Sequence, residues 1–410
     1  MAVARRTARD IRSDSRLDVL HAVLSAAEIT RNELVQATGL SPATVATVVG
    51  ELITAGILVE TKMSVGLVGR PTATLGMNGA GGRVVGIDVA ETYVRAVLFD
   101  TALNQLGFVE VERDEHFLTP ELMVEAIGEA LDMVLEQERV ARDDVRGVGV
   151  SLPGLVHGSA GVSVLVPHWA WRTVDLDHLR ERVALPLVID NPLKAIATAE
   201  LWLGRGRFCP NLVTVNLGTG VGAAIVLDGQ IARGSTNSAG EWGHSLLALD
   251  GRECRCGRRG CVEAYVGAPG ILRTLSEIAP DHPLVAMELQ RDVIGAMARA
   301  IESPEPDDAV RETIARTAYY LGSALADLVA VVNPQAVTLT GWTAWALGAH
   351  MLPAVREHVA AQSPGQSADA LELELSTVKG NSVATGVATI ALERFLADAG
   401  LITTRIPIAL

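Results

Sequence analysis

The stretch LGTGVGAAIVLDGQIARGSTNSAGEWGHSLLALDGRECRCGRRGCVEAY, residues 217–265, decides the reading of this chain. It opens on a strand, a glycine turn (LGTGVG, 217–222) and a second strand. It closes on three of the chain's four cysteines. Glycine turns between strands can cradle phosphates with backbone N–H groups, and they also make plain hairpins; the turn alone leaves both open. The second half is more specific. His244 stands ten residues before Cys254, and Cys256 and Cys261 follow. One imidazole and three thiolates form a tetrahedral zinc set. The C-x-C and C-x4-C spacings differ from the C-x-x-C of redox pairs, and Gly257 and Gly260 let the loop wrap an ion. Cys209 lies apart and reads as a small buried apolar residue.

Outward from this stretch, strand and helix patterns alternate. RVVGIDVAETYVRAVLFD (83–100) reads as two strands about a tight turn, and GVGVSLPGLV (147–156) as a strand ending in a Pro-Gly turn. Helical periodicity covers 121–138, 194–204, 308–332 and 383–398. Such alternation indicates an α/β architecture.

The first 80 residues differ. They carry eight Lys/Arg against seven Asp/Glu, a net of +1 that leaves −15 on the rest of a chain of net charge −14. A near-neutral head on an acidic body suits a small DNA-reading module joined to something else. Leu17, Leu20, Leu24 and Ala27 fall at helical spacing. Thr30 and Glu33 form a capping box for a second helix, and Gly39 permits a sharp turn. Ser41 and Pro42 then start a third helix that runs to Gly56. Helix, helix, glycine turn, helix is the helix-turn-helix pattern. ILVETK and PTATLGMN follow as a winged hairpin with Arg70 at its tip, suited to a minor groove. Ser41, Thr44 and Thr47 are the candidate base or phosphate contacts. Lys62 and the arginines of the first sixteen residues add phosphate contacts. The third helix carries no Lys or Arg, and three-helix units with a hairpin also bind proteins. If the head binds DNA, a dimer on a pseudo-palindromic site is the expected geometry.

Charged residues make up 20% and hydrophobic ones 49%. No apolar run reaches the ~18 residues of a membrane span, and the N-terminus has no apolar signal region. Four cysteines in 410 residues do not make a disulfide framework. The expectation is a cytoplasmic protein without a membrane segment.

Together these pieces resemble the ROK family of repressors, open reading frames and kinases, in its branch with an N-terminal winged helix-turn-helix. The carriers are the 218–265 stretch and NPQAVTLTG (333–341), which is similar to the family's later nucleotide-side motif. The resemblance implies an actin-like, sugar-kinase-type domain of two α/β lobes around a cleft. It divides the chain into 1–80 (head), 81–195 with 380–410 (first lobe), and 196–379 (second lobe, with the zinc motif and an oligomerisation surface). It implies sugar contacts at Asn191, Glu241, His244 and Glu263, with His244 also on the zinc. The zinc is structural, since four protein ligands leave no open position.

Kinases of the family read N-D-A-N-x-A-A-x-A-E where this chain has NPLKAIATAE (191–200), so Pro192 stands at the catalytic Asp. Proline takes no proton. Ala90 and Glu91 replace glycines of the first phosphate turn, and Trp342 replaces one in the late motif. No catalytic residue is assigned. In PHWAW (167–171), His168 lines the pocket or is a core histidine, and Trp171 matches a family Trp. The expected protein is a transcriptional regulator of carbohydrate metabolism, a repressor acting as a homodimer or homotetramer on operator DNA in response to a sugar or sugar derivative. The rivals are an active sugar kinase and a regulator whose signal is a protein partner.

Overall fold

The computed structural model describes residues 8–64, 72–90, 93–112, 119–156, 162–163 and 173–402. It divides into two compact units, Met1–Leu203 with Val383–Leu410, and Gly204–Ser382.

The first unit begins with three helices, α1 (Ala8–Ala26), α2 (Arg31–Thr38) and α3 (Pro42–Thr54). Thr30 and Glu33 make the reciprocal capping box of α2, and Gly39 closes that helix at φ 67°. The Ser41 side chain accepts from the Thr44 N–H and Pro42 takes the first turn of α3. Strands Leu58–Ser64 and Thr72–Met77 pair antiparallel, with Ile29–Thr30 on the outer edge. Leu20, Val23, Leu34, Val45, Val49 and Leu52 form the buried centre. Ala27 departs from the expected helical face. It lies beyond the end of α1 at φ 59° and is exposed, because the chain turns there into the Ile29 strand.

Behind the head stands a five-stranded sheet, in the order Leu187–Asp190, Val145–Ser151, Arg83–Val89, Tyr93–Asp100, Gln105–Glu112. The first three strands are parallel and the last two antiparallel. Val85, Ile87 and Val89 bury one face with α4 (Pro120–Gln137) and α5 (Leu176–Val183). Alternate residues turn the other way, as strand geometry requires. There the final helix, Ser382–Asp398, comes so near that Cβ atoms on Gly86 and Gly149 would lie 1.9 Å from the Ala384 carbonyl oxygen and 2.0 Å from that of Val387. No side chain fits these two positions. α6 (Pro192–Leu203) runs from the end of the Leu187–Asp190 strand.

The second unit has its own sheet, in the order Gln230–Ile231, Val221–Leu227, Leu212–Leu217, Ala336–Thr340, Glu372–Leu375. Helices Ala268–Ile278, Gln290–Glu302, Asp308–Val332 and Trp342–Gln362 contribute to its core. The Thr338 hydroxyl donates to that of Thr214 at 3.0 Å, which satisfies two buried polar groups across adjacent strands. Among the described residues no helix is long and apolar enough to cross a membrane.

Candidate functional site

Strand Val221–Leu227 organises the site of the second unit. Leu217 pairs with Val221, so Gly218–Gly220 is a hairpin turn. Glu263 Oε2 accepts the Val221 N–H at 3.0 Å. A Cβ on Gly243 would lie 1.9 Å from the Val221 carbonyl oxygen, so the short turn Glu241–His244 presses its backbone directly onto the strand. One residue thus brings the Glu241–His244 turn and Glu263 together, and Gly243 is obligatory for that approach. The Gly218 carbonyl also accepts the Ala268 N–H at 2.9 Å. The glycine turn is therefore built into the segment that carries Glu263. A small recess of about 100 Å³ opens here, lined by Thr219, Cys254, Arg255, Glu263 and Arg273 among others.

The ligand atoms of His244, Cys254, Cys256 and Cys261 all lie within 4.8 Å of one another. At the usual ~2.3 Å metal–sulfur and ~2.0 Å metal–nitrogen lengths, a tetrahedral ion holds two thiolates about 3.8 Å apart and a thiolate and imidazole about 3.5 Å apart. Cys256 Sγ stands 3.7 Å from Cys261 Sγ, and Cys254 Sγ stands 3.7 Å from His244 Nδ1. The cluster therefore fits one tetrahedral metal ion. Burial pushes the Cys254 and Cys261 thiols up. At Cys256 burial acts in the same direction but is outweighed by hydrogen bonds from the Arg258 backbone and guanidinium, which hold that thiol down. A bound cation would deprotonate all three. Cys209 is buried away from the cluster, as expected of a small apolar residue.

The sequence gives no signal for the residue that ties this loop down. Arg252, with its side chain 7% exposed, donates to the carbonyls of Ala264 and Gly270, to the Thr274 hydroxyl, and to Glu277 at 2.6 Å. Its guanidinium lies 4.7 Å from the Tyr265 ring centroid and 5.8 Å from that of Tyr320. The Tyr265 hydroxyl accepts the Arg252 N–H at 3.0 Å. Arg252 thus joins the residues before Cys254 to the turn that carries Glu263. By comparison, Arg259 makes only an exposed pair with Glu253.

In the first unit, Asn191 is 2% exposed and caps α6: its Oδ1 accepts the Lys194 N–H at 2.9 Å. Pro192 takes the first position of that helix, and Lys194 is fully buried. Asp190 is buried, with one carboxylate oxygen accepting the Asn191 N–H. In the second unit the Trp342 indole lies against the glycine turn, with Nε1 2.9 Å from where a Cβ of Gly218 would stand, and Arg291 sits over its ring.

On the head, Ser41 and Thr47 are exposed and Thr44 half-buried at the start of α3. The Ser41 and Thr44 hydroxyls share a 2.8 Å hydrogen bond, and that of Thr47 donates to the Ala43 carbonyl. Lys62 is placed by its backbone on the Leu58–Ser64 strand. Arg70, Glu91, His168 and Trp171 lie outside the described residues. Of the arginines expected to contact phosphates, Arg16 is turned into the head with its side chain 14% exposed, and Arg12 stays 58% exposed. Both pair with Glu51 on α3, and Arg16 also donates to the Leu401 carbonyl.

Compared with known proteins, residues 84–394 match the ROK family, and residues 12–59 match a winged helix-turn-helix DNA-binding domain. A glucokinase of Halalkalibacterium halodurans is 30% identical over 307 residues, 74% of this chain and 92% of that protein. A xylose repressor of Caldicellulosiruptor bescii is 25% identical over 387 residues, 93% of this chain and 96% of the repressor. Among solved structures, a ROK family transcriptional regulator described as a homologue of the E. coli MLC protein superposes with a TM-score of 0.73 at 23% identity. That match covers 95% of this chain and 98% of the regulator.

Proposed function

The chain belongs to the ROK family, and from that premise we propose that it is a sugar-responsive, DNA-binding transcriptional repressor of carbohydrate metabolism. One observation carries the reading. The likeness to a xylose repressor runs through 93% of the chain, head included, whereas the likeness to a glucokinase covers 74%. The head, residues 1–80, reads operator DNA through Ser41, Thr44, Thr47, Lys62 and Arg70. The lobes are 81–195 with 380–410, and 196–379. The protein acts in the cytoplasm as a homodimer or homotetramer, so that two heads meet two half-sites.

The metal is zinc, held by His244, Cys254, Cys256 and Cys261, and it is structural: four protein ligands leave no position for a substrate or water. What it supplies is a fixed loop. With Nδ1 on the metal side, His244 has Nε2 for a sugar hydroxyl. Glu241, Glu263 and Asn191 are the other proposed sugar contacts, since carboxylates and amides accept hydroxyl protons in fixed directions.

Phosphoryl transfer is absent from this reading. Pro192 stands where a kinase needs a base, and the Gly218 turn is taken up by Trp342 and the Glu263 segment. The glucokinase likeness favours the alternative of an active sugar kinase, and ADP release with any hexose would establish it. Thermal shift of the zinc-loaded protein with pentoses, hexoses, aminosugars and their phosphates tests the sugar reading. A rise in melting temperature with one class supports it. A blank panel turns attention to a protein partner as the signal.

A further inference from the structure

We infer that α6 is the rod through which the ligand site addresses the DNA-reading head, and that the contact of Trp202 with His21 is the joint at its far end. The inference rests on the reading of Asn191 as a ligand contact. At its near end α6 is capped by Asn191, whose Oδ1 holds the Lys194 N–H at 2.9 Å and whose carbonyl holds the Ala195 N–H at 3.0 Å. A ligand hydroxyl that donates to the Asn191 amide oxygen shares the oxygen that caps the helix, and one that accepts from Nδ2 fixes the orientation of the same amide, so occupancy of the site acts on the first turn of the helix.

The shaft does not absorb such a displacement. Eight of its twelve residues are buried. A Cβ on Gly386 would lie 1.8 Å from the Ala195 carbonyl oxygen, so the final helix lies backbone to backbone against α6. Close-packed interiors shift as units rather than deform continuously. Over twelve residues the motion is carried about 18 Å.

At the far end Trp202 is 2% exposed. Its Nε1–H donates to Glu393 on the final helix at 2.6 Å, and its ring meets the His21 ring of α1 edge to face, with centroids 4.6 Å apart. α1 is in turn tied to the third helix. Arg16 bonds Glu51 through Nη2 at 2.6 Å and Nε at 2.9 Å, and reaches the Leu401 carbonyl beyond the final helix at 2.7 Å. The helix that caps on Asn191 therefore ends on the helix that holds α3. A chain of contacts becomes a coupling only when perturbing one end moves the other, and that is measurable without sugar or DNA.

Hydrogen exchange with mass spectrometry on the full chain, in a cycle of parent, Asn191→Ala, Trp202→Leu and the double variant, reads it. Loss of the cap should speed exchange of the Ser13–Ala26 amides about fivefold, the population change that loss of one helix cap produces. In the Trp202→Leu background it should speed them no further, and Trp202→Phe, which keeps a ring against His21, should restore most of the response. The peptide Leu212–Leu217 should not change in any variant. The inference is overturned by faster exchange in 192–203 with none in α1, by equal increments in both backgrounds, or by an equal rise in 212–217, which marks a global loss of stability. Should Trp202→Leu fail to fold, His21→Ala on the head side of the contact completes the same cycle with the same outcomes. Failure of the sugar reading is seen separately, as a blank thermal-shift panel.

Discussion

Arg252→Met should unfasten the metal loop from the helices behind it. Methionine keeps much of the buried stem and removes the guanidinium. Three hydrogen bonds to buried or half-buried acceptors go with it, to Ala264, Gly270 and Thr274. At a net of about 1 kcal/mol each they amount to about 3 kcal/mol. The stack on Tyr265, with the cation 4.7 Å from the ring centroid, adds about 1 kcal/mol. The pair with Glu277 adds little, because that carboxylate side chain is 43% exposed and screened by water. The expected local loss is thus about 3–4 kcal/mol, or some two to three orders of magnitude in exchange protection at about 1.4 kcal/mol per tenfold. A two-unit protein has no single unfolding free energy, so the assay is hydrogen exchange of the peptide spanning 252–266, with bound zinc measured in parallel. Arg252→Lys keeps the charge but not the fork, and should recover less than half of the loss. Protection within about threefold of the parent, with full zinc, would refute the anchoring role.

Cys256→Ser should lose bound zinc and destabilise the second unit, because metal binding and folding are linked; atomic absorption showing one zinc per chain in a fully stable variant would refute the ligand set. Gly243→Ala should push the Glu241–His244 turn off Val221 and abolish any sugar-induced thermal shift at unchanged zinc content, since its Cβ would lie 1.9 Å from a carbonyl oxygen; an unaltered shift would show that the turn yields. Glu51 is partly buried, which alone would raise its pKa, but hydrogen bonds from Arg16 and Arg12 hold it below the usual 4.5. A lowered carboxylate contributes stability above its unfolded pKa and loses it as pH falls through the folded value. Relative to the intrinsic exchange rate at each pH, protection of α1 and α3 should therefore fall below about pH 4.5 in the parent, while Glu51→Gln should show that lower protection already at pH 7; identical protection profiles would contradict the clamp.

What was legible in the sequence is what short-range chemistry decides. Thr30 and Glu33, Gly39, Ser41 and Pro42 each act within four residues, and the head follows them. The His244–Cys261 cluster was legible because thiolates at such spacing have few other uses. The rest depends on partners distant in the chain. Gly86 and Gly149 look like ordinary strand glycines until the final helix arrives nearly 300 and 240 residues later. Arg252 in a loop of arginines looks solvated, and nothing local distinguishes it from Arg258 or Arg259. Arg16 looked like a phosphate contact, but Glu51 takes it, 35 residues away. Asn191 reads as a sugar contact only through the resemblance, and its place as the cap of α6 is revealed only by the strand–helix junction.

The most direct test of a sugar-responsive DNA-binding repressor is selection of DNA by the full-length, zinc-loaded protein from random duplexes, followed by titration of the enriched site in the presence of xylose, glucose and N-acetylglucosamine. The expected result is an inverted-repeat site whose affinity falls severalfold with one of these sugars and not with the others. A protein that enriches no sequence above its salt-sensitive background binding, or an affinity unmoved by every sugar at saturating concentration, would contradict it.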